Sequence, residues 1–410
     1  MDIWGGLGVL ALGGLSLLVP HGFQIFLLGL AAGMFLCMMR PGTGVAALTV
    51  LLPPLFMTLF GVTWLALAAW HGETLATWQL IWPVLLACPV AWVVQCVKLD
   101  PVWFWGGLAL GASGAGAWAI FQVLVLGADR AAGHDPLHAI LFGNLALMMG
   151  LFCLVGFNWA WRQPERAFWS CVMAIGVLLG SFASLLSGTR GGWVVLPGLL
   201  AIWLLAFGGW ITVRRRVQLA VFGALLVVSA VAIPQMGVQA RLALGIEHAC
   251  RYLSGERTVA TAARLEIWRG AVLLISEHPL RGWGSAGYLE GMAQLSAEGR
   301  LDPATSNYWH AHSDLLDAWV RRGVFGLAAL LAIYLLPVYL FRKGISARDP
   351  TRRALATCGL LLPAGFAGFG LSYAFMAYSA GVAAYTGWLC VIWGLYVSLP
   401  PSADYSDSSS

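Results

Sequence analysis

Long apolar runs separated by short polar turns are the feature that most limits what this chain can fold into. A helix of about 20 apolar residues crosses a hydrocarbon core of about 30 Å, and the 410 residues contain many runs of that length. Only 10% of the residues are charged, whereas soluble domains carry about 25%. These charges are too few to cover a water-facing surface. The sequence therefore predicts an all-α polytopic membrane protein.

The apolar runs predict twelve transmembrane helices. They lie near residues 3–20, 22–39, 43–62, 77–97, 102–126, 137–160, 169–187, 192–212, 217–235, 318–341, 354–376 and 380–399. Residues 1–235 would hold spans 1–9, residues 236–317 would form a large helical segment outside the membrane, and residues 318–400 would hold spans 10–12. Residues 401–410 are predicted to be a disordered tail, and 61–76 is a candidate interfacial piece.

The basic residues predict how these spans are oriented. The short loops on one side contain only Arg130 and Arg190. The loops on the other side contain twelve basic residues, namely Arg40, Lys98, Arg162, Arg166, Arg214, Arg215, Arg216, Arg342, Lys343, Arg348, Arg352 and Arg353. Since the basic side faces the cytoplasm, both termini are predicted to be cytoplasmic and 236–317 extracytoplasmic.

Charge and motif content exclude several classes of function. Residues 236–322 contain nine basic and nine acidic residues, which is no polybasic surface for nucleic acid. No phosphate-binding loop of the G-x-x-x-x-G-K-[ST] type and no set of residues with metal-ligand spacing occurs. We therefore expect no nucleic-acid partner, no bound metal and no cofactor.

The first candidate site is the turn at 187–192 (SGTRGG), where span eight begins. A helix N-terminus attracts anions, glycines allow a ligand to approach the backbone, and Arg190 adds a bidentate phosphate partner. Ser187 and Thr189 are secondary candidates beside it. The alternative is a tight hairpin whose arginine reaches lipid headgroups. Both interpretations remain open on the residues alone.

The second candidate site is the helical stretch 263–275 (ARLEIWRGAVLLI). Helical spacing places Arg264 on an apolar stripe with Trp268, Ala271 and Ile275, where an arginine requires an anion or a carboxylate. A structural salt bridge is the alternative. Arg269 falls on the opposite face, where we expect it to be solvated or paired with Glu266, a residue predicted to lie on that same polar face.

The third candidate site is 309–317 (WHAHSDLLD), which leads into span ten. Ser313 is a good N-cap with acidic residues in the first turn, so His312 would lie just outside a helix N-terminus. The helix dipole there opposes protonation, and a neutral imidazole is what a general base requires. Two interfacial histidines that cap a helix are the alternative. The spacing of His310 and His312 does not favour a metal pair.

Together the three motifs resemble the O-antigen ligase and O-antigen polymerase superfamily of bacterial envelope glycosyltransferases. The resemblance covers about residues 180–330, and multi-span regions lie on both sides. Its carriers are 187–192, Arg264 with Trp268, 278–284 (HPLRGWG), 310–316 (HAHSDLL) and 323–327 (GVFGL). There are two departures from the pattern. Ser313 stands where Asn often follows the histidine, and Arg321-Arg322 stands where an acidic residue often precedes Gly323.

The resemblance implies a glycosyltransferase of the Gram-negative inner membrane, with a periplasmic active site. Its donor would be a glycan on undecaprenyl diphosphate, and its acceptor would be lipid A–core. Arg190 and Arg264 would clamp the diphosphate, and His312 would be the catalytic histidine. Secondary candidates are His310, Arg269, Arg321, Arg322, Ser187 and Thr189.

The expected mechanism is an inverting transfer without a metal, because no outward-facing D-x-D pair occurs. A polymerase acting on lipid-linked repeat units and a protein O-oligosaccharyltransferase remain alternatives. A transporter of lipids or solutes is a different class, and it is disfavoured because the span midpoints contain almost no charged residues.

Overall fold

The computed structural model describes residues 2–38, 48–97, 99–134, 137–210 and 259–400, together with 243, 247, 250, 251 and 254. No strand occurs in these residues. The α-helices, numbered in chain order, are α1 (Asp2–Gly14), α2 (Gly22–Met38), α3 (Leu48–Trp70), α4 (Thr74–Leu85), α5 (Ala87–Val97), α6 (Pro101–Ile120), α7 (Ala139–Ala160), α8 (Arg166–Leu186), α9 (Arg190–Phe207), α10 (Val259–Glu277), α11 (Gly284–Ala297), α12 (Asp314–Phe341), α13 (Pro350–Phe369) and α14 (Ser379–Ser398).

The helices confirm the all-α membrane class. Eight helical stretches of the described residues are long and apolar enough to cross a membrane, and α1 and α2 are shorter apolar helices. Helices lie at eleven of the twelve predicted runs. The remaining run, 217–235, lies outside the described residues, as does the predicted tail 401–410. The count of twelve spans therefore stays a prediction.

Two predicted boundaries are wrong, and local residues explain both. Helix α3 continues to Trp70 because nothing breaks it before Gly72, so 61–76 is the end of α3 and a turn instead of a separate interfacial piece. Helix α13 ends at Phe369 with Gly370 as its C-cap. Residues 370–378 therefore form a connection between helices, although the sequence assigned them largely to a span.

Helices α7, α13 and α14 form the centre of the bundle, and α13 buries Leu355, Cys358 and Phe366 among others. The apolar window of α7 is 83% buried and that of α14 is 89% buried, whereas the windows of the other candidate spans are 28–50% buried. The outer helices expose large apolar side chains such as Leu124, Val194 and Leu205. An apolar surface of this extent is suited to lipid.

Residues 259–313, the connecting segment, have a small core of their own. Helices α10 and α11 bury Leu274, Tyr288 and Met292 against Val320 of α12. The connecting segment is also hydrogen-bonded to α12 on both sides of Gly323. This glycine adopts a left-handed conformation with φ 64° and interrupts the helix. The Trp283 N–H donates to the carbonyl of Val320 (2.8 Å) on one side of this break. On the other side, the Val324 N–H donates to the carbonyl of Pro279 (2.9 Å).

Candidate active site

Helix ends that are distant in the sequence meet at one end of the bundle. The Thr189 hydroxyl before α9 donates to the carbonyl of Ala139 at the start of α7 (3.1 Å). The Asp314 N–H at the start of α12 donates to the carbonyl of Gly370 at the end of α13 (2.7 Å). These bonds bring the 187–192 turn to the start of α7 and the 310–316 motif to the 370–378 connection, and His138 at the start of α7 contacts Tyr373 of that connection.

Basic residues that predicted orientation, Arg166 and Arg342 among them, lie at the other end of these helices. Helix α8 begins at Arg166 and ends just before Ser187. Helix α12 begins just after Ser313 and ends just before Arg342. The charge asymmetry read from the sequence therefore separates the two ends of one helical bundle.

The turn before α9 is held by hydroxyl groups that face inward. Ser187 and Thr189 are buried, and their hydroxyls lie 2.7 Å apart. Since Thr189 also donates to Ala139, its side chain does not cap α9. Arg190 is the first residue of α9 and is exposed. The turn thus places a guanidinium group at a helix N-terminus, where anions are favoured.

Arg264 of α10 lies within electrostatic reach of Arg190. Loss of hydration and then the Arg190 charge lower the pKa of the Arg264 guanidinium, while the Tyr373 phenol opposes them. Within the described residues, none of the ion pairs involves Arg264. Two neighbouring cations at a helix N-terminus form a place for an anion with more than one negative charge. We call Arg190 and Arg264 the guanidinium pair.

The predicted faces of α10 are partly wrong. Arg264 is exposed, whereas Glu266 is buried and accepts a hydrogen bond from the Asp302 N–H (3.3 Å). Packing of α10 against the 3₁₀ turn Pro303–Asn307 and α11 buries this face, a contact that helical spacing alone does not reveal. Arg269 pairs with Glu266 at 3.2 Å, as expected.

His312 lies in a strained turn that fixes its ring. Its backbone is left-handed, with φ 51°, which is uncommon for a residue with a side chain. Its Nδ1 lies 3.2 Å from the carbonyl oxygen of His310. A carbonyl only accepts, so Nδ1 carries the hydrogen and Nε2 of the neutral ring keeps its lone pair. That tautomer has a base at Nε2.

His310 is buried behind His312 and is also fixed by two contacts. Its Nδ1 accepts the backbone N–H of His312 (3.0 Å), so its hydrogen is on Nε2, 3.3 Å from the Tyr378 hydroxyl. Burial is the largest cause that lowers the pKa of His310, to about 3. Burial also lowers the pKa of His312, and the Arg264 charge adds to this. Both rings are therefore neutral near pH 7.

Three further residues of this site were missed by sequence reasoning. His138 caps α7, because its Nδ1 accepts the Ile140 N–H (3.2 Å), and its Nε2 lies 2.8 Å from the Tyr373 hydroxyl. The hydroxyls of Tyr373 and Tyr378 are hydrogen-bonded to each other. The Tyr373 ring packs edge-on against His312, with centroids 5.5 Å apart. We call His138, His310, His312, Tyr373 and Tyr378 the imidazole–phenol cluster.

The other secondary candidates have structural contacts. Arg321 pairs with Asp317 (3.1 Å) and donates to the Ser285 hydroxyl. Arg322 is buried over the ring of Trp64 (4.6 Å). Arg269 lies on the far side of α10 from Arg264. No three His, Cys, Asp or Glu side chains come together as metal ligands in the part of the chain that the structure describes.

Comparison with known proteins finds a family match over the part of the chain that contains this candidate site. Residues 175–331 match the model of the family described as O-Antigen ligase, and this interval contains Arg190, Arg264 and His312. An uncharacterized protein of Haemophilus influenzae is 25% identical over 280 residues, which is 68% of this chain and 69% of that protein. The match confirms the resemblance that the three motifs predicted.

Proposed function

We propose, from the premise that residues 175–331 form an O-antigen ligase domain, that the chain transfers O-antigen glycan from undecaprenyl diphosphate to a sugar hydroxyl of lipid A–core. The family match and the apolar helices support the coarser assignment, a membrane enzyme of the O-antigen ligase and polymerase type. The observation that supports the finer proposal is that Arg264 lies within electrostatic reach of both Arg190 and the His312 ring, whose Nε2 is a base.

The guanidinium pair would bind the carrier diphosphate at the start of α9. The leaving diphosphate gains negative charge as its bond to the sugar breaks. Cations already in place stabilise that charge most strongly in the transition state, so they lower the barrier and do not only tighten binding. Each planar guanidinium group also fits a phosphate through two parallel hydrogen bonds.

His312 would activate the acceptor. The acceptor hydroxyl oxygen forms a bond to the anomeric carbon, while the bond from that carbon to the diphosphate oxygen breaks and the electron pair leaves with the diphosphate. The hydroxyl proton passes to Nε2 of His312. Direct displacement inverts the anomeric configuration. Proton transfer of this kind contributes a factor of about 10²–10⁴.

The orientation of the spans indicates the side of the membrane on which the reaction would take place. The site lies at the end of the bundle away from the basic loops, and basic loops face the cytoplasm. We therefore place the reaction on the periplasmic side of the inner membrane of a Gram-negative bacterium. There it would meet both the lipid-linked donor and the lipid A–core acceptor.

The direct test is transfer by purified protein in lipid vesicles, with undecaprenyl diphosphate-linked glycan as donor and no ion gradient. Lipopolysaccharide core should become glycosylated, and His312→Ala should lower the rate about 10²–10⁴-fold in protein that still inserts and folds. His278→Ala is the matched control, because it removes an exposed imidazole of the same connecting segment and should keep the wild-type rate. Near wild-type transfer by His312→Ala would refute the assigned base.

The same assay separates the competing activities. Longer glycans on the carrier, formed without any lipopolysaccharide core, would indicate a polymerase instead. Glycan attached to Ser or Thr of an added protein would indicate an O-oligosaccharyltransferase. Added EDTA should leave the rate unchanged, and a loss restored by Mg²⁺ would contradict the metal-free mechanism.

A further inference from the structure

The imidazole–phenol cluster contains one more hydrogen than its own contacts use. His138 and His310 each accept a backbone N–H at Nδ1, so each neutral ring has its hydrogen on Nε2. Each Nε2–H therefore donates to a tyrosine hydroxyl, His138 to Tyr373 and His310 to Tyr378. Of the two tyrosine hydrogens, only one can form the bond between the hydroxyls.

The other tyrosine hydrogen has no acceptor among the described residues. Its oxygen accepts two hydrogen bonds, which occupies both lone pairs. That hydroxyl can act toward a ligand only as a donor. The neutral rings of His138 and His310 fix this role, because each donates its Nε2–H to one tyrosine oxygen before any ligand binds.

The surroundings of the two phenols decide which of them has the unused hydrogen. Tyr373 lies within electrostatic reach of Arg264, and its ring contacts His312. The next residue, Ser372, lies against the start of α9, since a Cβ at Gly191 would be 2.6 Å from its hydroxyl. Tyr378 lies instead within reach of the Asp317 carboxylate, which repels an anion.

We propose that the Tyr373 hydroxyl donates a hydrogen bond to the anionic oxygen held by the guanidinium pair, and that His138 is the positioning residue that keeps it a donor. The inference rests on the proposed function, because it takes the bound anion to be the diphosphate of the donor. Tyr373 is then a third ligand-binding group, placed between the cations and the His312 base.

Binding of inorganic pyrophosphate to the purified full chain tests this without requiring glycan transfer. Tyr373→Phe keeps the ring contact with His312 and removes only the hydroxyl, so the dissociation constant should rise about tenfold or more, the loss typical of a hydrogen bond to a charged group. Tyr378→Phe should raise it much less, because Tyr373 keeps its hydrogen. Tyr385→Phe is the matched control, since it removes a buried hydroxyl bonded to Ile333 in the bundle and should bind as wild type does.

The outcomes separate this inference from the proposed function. Equal pyrophosphate affinity of wild type and Tyr373→Phe would overturn the inference while leaving the guanidinium pair in place. A larger loss for Tyr378→Phe than for Tyr373→Phe would overturn the assignment to Tyr373. No pyrophosphate binding by wild type, together with no transfer in the vesicle assay, would refute the proposed function itself.

Discussion

The guanidinium pair and the imidazole–phenol cluster lie side by side, but the protein holds them in different ways. Arg190 and Arg264 are exposed and repel each other. His310 and Tyr373 are buried, and hydrogen bonds fix the rings of the cluster through backbone groups and hydroxyls. We expect one half of the site to gain stability when an anion arrives, whereas hydrogen bonds fix the rings of the other half before any ligand binds.

This difference separates two kinds of effect that substitutions have. A change in the guanidinium pair should alter ligand binding and rate and leave the folded state unaffected. A change in the imidazole–phenol cluster should alter both, because buried polar groups that lose their partners are costly. The predictions below test that separation.

After that of His312→Ala, the largest effect on transfer rate should come from Arg190→Lys and Arg264→Lys. Lysine keeps the charge but has no planar fork, so each variant should lose about tenfold to a hundredfold in transfer rate, with unchanged thermal unfolding. Arg269→Lys is the matched control, because it lies on the same helix as Arg264 but pairs with Glu266. Full activity of both site variants would show that a point charge is sufficient.

A smaller effect on rate, with a loss of stability, should follow from His310→Ala. The substitution leaves the His312 N–H and the Tyr378 hydroxyl without their partner, and each such loss costs about 1–3 kcal/mol. Thermal unfolding in detergent should therefore occur at a lower temperature. If the variant lost activity but its unfolding temperature were unchanged, His310 would behave as the guanidinium pair is expected to. The proposed difference between the two halves of the site would then be wrong.

The smallest effect should be a dependence of stability on pH that comes from one half of the site only. The folded protein holds His138 with a pKa of about 4 and His310 with a pKa of about 3, against an ordinary value of 6.5. Between these values the unfolded chain binds more protons, so the free energy of unfolding should fall as the pH decreases below 6.5.

Unfolding of wild type at neutral pH and at mildly acidic pH measures this slope. His138→Gln should have a shallower slope than wild type because one depressed imidazole is gone. Arg264→Lys should keep the wild-type slope, since neither side chain titrates in that range. A slope that is the same in His138→Gln and wild type would contradict the assignment.

The residues that sequence reasoning found are those with a local signal. Arg190 follows a glycine turn at a helix start, and Ser313 precedes the acidic first turn of α12. Arg269 and Glu266 are one helical turn apart and do form a pair. Periodicity and residue spacing reveal local features of this kind. The all-α class was also predictable, because the length of the apolar runs alone indicates membrane-spanning helices.

The residues that were missed depend on contacts between distant helix ends. Tyr373 meets His138 across 235 positions of sequence, and neither has a motif around it. The predicted span to 376 also placed Tyr373 inside the membrane, since the sequence around Gly370 is apolar and a glycine by itself is also tolerated within a span. The burial of Glu266 was missed for the same reason, because α10 packs on the 3₁₀ turn near residue 303 and not on the bundle alone.

The break at Gly323 determines how tolerant this architecture is to exchange of parts. Main-chain hydrogen bonds on both sides of the break hold the connecting segment to α12, in addition to the Arg321–Ser285 contact and the packing on Val320. At this attachment Gly282 and Gly323 are restricted, since a Cβ at either would collide with the opposing backbone and both have positive φ. We expect a connecting segment grafted from a distant homologue to pack on these spans only if it has a glycine in register with Gly282 and α12 keeps Gly323.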